Sequence, residues 1–174
     1  MTRGHCRMKR FYLKCEYVPE DRIPKLLEEN HILINNYAKE YFSHHKFFAG
    51  DPGDISVVVA SLKEIGFENG ATLGEIFQRI PDLGLKPCPP CTGLFLRMAW
   101  KDQPESNNSV LSGTHSSPDR AVNVLSEVLE QNDDYPKGLY LRNVDGDLWL
   151  RGYICDFSYK FPEDTLFAFE SCAD

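Results

Sequence analysis

Leu139-Tyr140-Leu141-Arg142-Asn143-Val144, then Asp145-Gly146, then Asp147-Leu148-Trp149-Leu150-Arg151-Gly152-Tyr153-Ile154, is the stretch that decides the fold. Two apolar-rich runs flank an Asp-Gly pair. A two-residue type I′ turn needs positive φ at both central positions, and Asp-Gly tolerates this at little cost. The stretch is predicted as a β-hairpin, Leu139 to Val144 against Asp147 to Ile154. Asp145-Gly146-Asp147 is too short for a calcium loop, and the turn accounts for it.

Working outward, Leu94, Leu96, Met98 and Trp100 alternate with Phe95, Arg97, Ala99 and Lys101. Period-two alternation predicts a strand with one strongly apolar face. Leu166 to Glu170 reads as a closing strand, Ile55 to Ser61 as a buried β-branched strand, and Phe11 to Val18 as a short one. Residues 121–129 are divided: Ser117-Pro118 suits a helix start, whereas Val122, Val124 and Val128 favour extended chain.

Two helices are predicted. In the first, Asp21 is the cap and Pro24 lies in the first turn. Ile23, Leu26, Leu27, Ile34, Tyr37, Ala38, Tyr41 and Phe42 share one stripe for about five turns. His44 and His45 follow as its solvated end, where neighbours about 100° apart do not form an i, i+4 ligand pair. In the second, Thr72-Leu73-Gly74-Glu75 is a capping box, Pro81 ends the helix and Gly84 suits the stop.

The expected fold is one α+β domain over residues 1–174. Residues 1–54 are mainly helical and 55–172 form the α+β core. The N-terminal helices pack on a twisted antiparallel sheet of about five strands, curling toward a barrel. Its core face is expected to include Leu94, Leu96, Met98, Leu139, Leu141, Leu148 and Leu150.

The net charge is −7, yet Arg3, Arg7, Lys9, Arg10 and Lys14 crowd the first 14 residues without an acid. The acidic remainder disfavours broad nucleic-acid binding and leaves the basic start as the one place for it. No run reaches the roughly 20 apolar residues of a membrane span, and no signal-peptide segment follows the basic start. A soluble, cytoplasmic protein without a membrane partner is expected. Its six cysteines are then read as mostly reduced thiols.

Cys88-Pro89-Pro90-Cys91 has the spacing of a metal or redox pair. Zinc wants two further ligands, and no second C-x-x-C exists. A redox pair wants a helix N-terminus after a strand, and the expected order here is the reverse. Structural loop cysteines are the simpler reading. His115 lies among Ser112, Thr114, Ser116 and Ser117, the raw material of nucleophilic catalysis, but without a Gly-x-Ser-x-Gly elbow. Phosphate loops, Rossmann glycines and His-Glu-x-x-His are absent, and no cofactor is expected. Arg97, Trp100, Asp102 and Gln103 are the candidate ligand-binding edge, set against a plain outer strand face running into a turn at Pro104.

The order of motifs resembles a group of small uncharacterised bacterial proteins across residues 55–172. The shared elements are Val59 to Phe67, Gly70-Ala71-Thr72, Leu83 to Pro89, Gly93 to Arg97, Asp102-Gln103-Pro104, Asp145 to Leu150 and Phe167-Ala168-Phe169. The resemblance implies kinship and carries no activity with it. The chain departs from the pattern twice. Cys91 stands where the relatives carry Glu, so a C-x-x-C role does not follow from kinship. Glu105 to Arg120 is inserted, which favours a strand over Val122 to Leu129.

The leading expectation is a non-catalytic binding or regulatory module with a protein or small-molecule partner. Two alternatives stand beside it: an enzyme with a site near Cys88, Arg97 and His115, and a zinc-stabilised adaptor through Cys88 and Cys91.

Overall fold

The computed structural model describes residues 8–49, 52–106 and 120–172. The Asp-Gly hairpin forms as predicted. Strand β6 (Gly138–Val144) pairs antiparallel with β7 (Asp147–Tyr153). Asp145 and Gly146 both take positive φ, 52° and 88°, and Asn143 Oδ1 accepts from the Gly146 N–H at 3.1 Å.

The other strands are β1 (Lys9–Cys15), β2 (Ile32–Ile34), β3 (Gly53–Ser61), β4 (Leu85–Lys86), β5 (Val122–Val124) and β8 (Leu166–Ser171). They join in the order β1-β3-β8-β5-β6-β7-β2, and β4 pairs with β8. The sheet therefore has eight strands among the described residues, not about five. It is mixed rather than antiparallel, because β2 runs parallel to β7 and β5 parallel to β8. Of residues 121–129, only Val122–Val124 are strand.

The helices are α1 (Ile23–Glu29), α2 (Asn36–Phe42), α3 (Leu73–Arg79) and α4 (Thr92–Ala99). They are not gathered at the N-terminus, and residues before 54 also supply β1 and β2. The single five-turn helix expected from Asp21 is broken. A 3-10 turn occupies Glu20–Arg22, and the N-cap of α1 is Arg22 rather than Asp21. His31 at φ 54° redirects the chain. Ile32 to Ile34 then spend their backbone on β7 instead of a helix. Asn35 completes the break: its Oδ1 accepts from Ala38 N as the cap of α2 and from Gly152 N, both at 2.9 Å, and its Nδ2 donates to Gly152 O at 3.2 Å. The helical stripe was real, but the cross-sheet pairing outweighs its propensity.

The largest correction concerns residues 94–101, expected as the clearest strand and found as α4. Thr92, Gly93, Leu94, Leu96 and Arg97 are buried, and Phe95 and Met98 are half-buried. The less buried residues Phe95, Met98 and Ala99 do share one helical face, but charged Arg97 lies on the buried side, so the alternation of Leu94, Leu96 and Met98 imitates a strand over so short a helix.

Helix α4 packs on β1, β6 and β7. In the strand order β1 and β7 are five spacings apart, roughly 24 Å in a flat sheet at about 4.8 Å each. One helix roughly 10 Å across reaches both only because the sheet curls around it. Gly93 makes the approach possible: a Cβ there would lie 2.9 Å from Leu139 Cβ.

The core has two layers. On the α4 side lie Val57, Val59, Leu94, Leu96, Leu139, Leu141 and Leu150. The opposite face gathers Ala60, Leu73, Ile76, Phe161, Phe167 and Phe169, with α3 as its lid. Thus Leu139, Leu141 and Leu150 lie in the α4-side layer as sheet residues. Leu94 and Leu96 join it from the helix, and Leu148 and Met98 are only half-buried. Helix α3 begins with the predicted capping box, Glu75 N to Thr72 Oγ1 at 3.3 Å and Thr72 N to Glu75 Oε1 at 3.1 Å. The following 3-10 turn stops at Gly84, φ 70°.

Candidate ligand cleft and the buried network behind it

Arg97 sits in the last turn of α4 with 0% exposure. It is not on an outer strand face. Its Nη1 donates to Gln103 Oε1 at 2.6 Å, to Trp149 O at 3.3 Å and to Arg142 O at 3.4 Å, and its Nη2 donates to Trp100 O. The planar fork thus reaches its own helix end, the segment after it, and both strands of the hairpin. No carboxylate among the described residues pairs with it. Burial alone pulls the guanidinium down from its ordinary value, to about 10, so it remains charged at neutral pH.

Gln103, also buried, relays the network. Its Nε2 donates to Arg120 O and Leu141 O, both at 3.1 Å, and its own carbonyl accepts from Asn143 Nδ2 at 2.8 Å. Asp102 is exposed. Of the four candidate ligand-binding residues, then, Arg97 and Gln103 serve as an internal brace, Asp102 faces solvent, and Trp100 borders a cleft.

That cleft, about 480 Å³, lies where the basic edge strand meets the chain leaving α4. Lys9, Glu64, Trp100, Pro104 and Arg120 are on its walls. The Trp100 ring is 5.0 Å from that of Phe11, and Lys9 Nζ stands 5.3 Å over it. The indole N–H of Trp100 is buried without a hydrogen-bond partner. Arg120 holds φ 60°, a left-handed conformation rare outside glycine, and its Nη1 donates to Glu105 O at 3.1 Å. Sequence reasoning missed Lys9 and Arg120 as site residues. The only signal was the acid-free basic start, and nothing local marks Arg120. A second cleft of about 520 Å³, between Tyr17 and α1, includes Lys25 and Glu29, which form an ion pair across 3.9 Å.

The C-x-x-C motif turns inward. It precedes α4, a helix N-terminus after all, yet Cys88 and Cys91 are buried. Cys88 Sγ bonds weakly to Ala168 O at 3.7 Å, and its backbone N–H to Leu125 O at 2.7 Å. Burial pushes the Cys88 thiol well up. Cys91 is raised chiefly by giving its proton's hydrogen bond to Cys15 of β1. These settings disfavour thiolate. Among the described residues no three His, Cys, Asp or Glu side chains group as a metal-binding set. Cys88 and Arg97 share no hydrogen-bond partner, and His115 lies outside the described residues.

His44 departs from its expected solvation. Its side chain is only 8% exposed and bonds to Glu130 Oε1 at 2.8 Å, while its ring stacks on His45. No helix among the described residues is long and apolar enough to cross a membrane. Comparisons with protein-family models, curated proteins and solved structures return no match.

Proposed function

We propose that the chain is a non-catalytic binding module whose ligand seat is the cleft at Trp100. The observation that carries this reading is the way the cleft is braced. The Arg97 fork holds the Trp100 carbonyl, Gln103 holds the Arg120 carbonyl, and both residues border the cleft. Walls fixed by buried hydrogen bonds lower the ordering cost of binding, and the volume falls within the ordinary range for small-ligand sites. The raised thiols of Cys88 and Cys91 support binding over thiol chemistry. The same reading takes the chain as a cytoplasmic bacterial protein, kin to those its motif order resembles.

Fluorescence tests it. Trp149→Phe leaves Trp100 as the sole tryptophan, since the chain has two. Saturable changes in Trp100 emission with members of a charge-diverse small-molecule library are expected. A library that leaves that emission unmoved, with the variant still folded, would count against the proposal.

A further inference from the structure

Donors outnumber available acceptors in the Trp100 cleft. Lys9 is not among the ion pairs of the described residues, and neither is Arg120. The one acid on the walls, Glu64, is already engaged, accepting from the Ser61 N–H at 3.1 Å. Trp100 adds a buried indole N–H with nothing to receive it. Two cations against one carboxylate leave a single positive charge to match. The remaining walls are apolar: Met8, Val59, Pro104 and Leu166. Trp100 is 5% exposed, packs on Phe11 and lies under Lys9 Nζ, so its face is not free for stacking.

We infer that the cleft takes a small organic acid with one carboxylate and an apolar body. The carboxylate lies between Lys9 and Arg120, beside the Trp100 ring. The hydrocarbon part rests on Met8, Val59, Pro104 and Leu166. A free phosphate fits less well, since it offers the apolar walls nothing and carries more charge than the site balances. Gln103 holds the Arg120 carbonyl and the Arg120 guanidinium donates to Glu105 O at 3.1 Å, so one cation is tied at the cleft before the ligand arrives.

This inference rests on the binding reading above, and its test separates the two. Uniformly 15N-labelled protein is titrated with hexanoate, benzoate and phenylacetate, each beside its primary amide, and with inorganic phosphate. The Trp100 indole N–H resonance is followed, assigned by its persistence in Trp149→Phe. The acids are expected to shift it saturably, at least tenfold more tightly than the matching amides and than phosphate. Lys9→Gln, at an exposed strand position, is expected to weaken the acids about tenfold while leaving the amides and the melting temperature unchanged. Amides or phosphate binding as tightly as the acids would overturn the inference and leave the binding reading standing. No shift from these probes or from the wider library would overturn both.

Discussion

Two cations are buried at opposite ends of strand β6, and they are satisfied differently. Arg97, beside the turn end of the hairpin, spreads its donors over Trp100, Gln103, Arg142 and Trp149. Lys137, just before β6 at the far end and 1% exposed, donates to Asn132 O and to Tyr135 O at 2.9 Å, all within one local loop. Neither pairs with a carboxylate among the described residues. Both donate to backbone carbonyls instead. The planar fork links segments up to 52 residues apart, whereas the ammonium closes a turn of six residues. The same charge, buried to the same degree, is a long-range tie in one place and a local clasp in the other.

Four measurements break or sharpen that contrast. Arg97→Met should cost the most, about 3–5 kcal/mol by urea unfolding, because four acceptors lose one donor group. A loss below 1 kcal/mol would show that the tie carries little. Gln103→Leu should cost about 2–3 kcal/mol. Combined with Arg97→Met it should cost clearly less than the sum, since the two act as one network. Lys137→Met should cost only about 1–2 kcal/mol and should not couple to Arg97. The smallest effect concerns Cys155, whose thiol burial holds at about 11 while Lys137 opposes the rise. Removing that cation should move the thiol further up, so alkylation of Cys155 in Lys137→Met should accelerate at a higher pH than in the parent.

The hairpin and the capping box were legible because their chemistry is local. Asp145-Gly146 and Thr72-x-x-Glu75 state their geometry within four residues. Helix α4 was not, since its identity depends on being enclosed by strands distant in sequence. Arg97 looked like an outer-face residue for the same reason: charged side chains are mostly exposed, and the carbonyls that receive this one come from β6 and β7. The break at His31 was hidden because Ile32 to Ile34 fit a helical stripe as well as a strand. Parallel pairing of β2 and β5 leaves no local mark at all. Among the site residues, Trp100 stood out by type, but the sequence places Lys9, Trp100 and Arg120 far apart, and only the curl of the sheet brings them to one cleft.

Strand β8 is the last of the eight to be synthesised, yet it lies in the middle, between β3 on one side and β4 and β5 on the other. When a ribosome has delivered everything through Thr165, β1 and β3 make up one ribbon, β5, β6, β7 and β2 another, and no strand pairing joins them, only the packing of α4 on both. The sheet closes like a zip whose final teeth are central. Until Leu166 to Ser171 emerge, both facing borders are open edges rich in Val, and the nascent molecule is most exposed to wrong pairing at that moment.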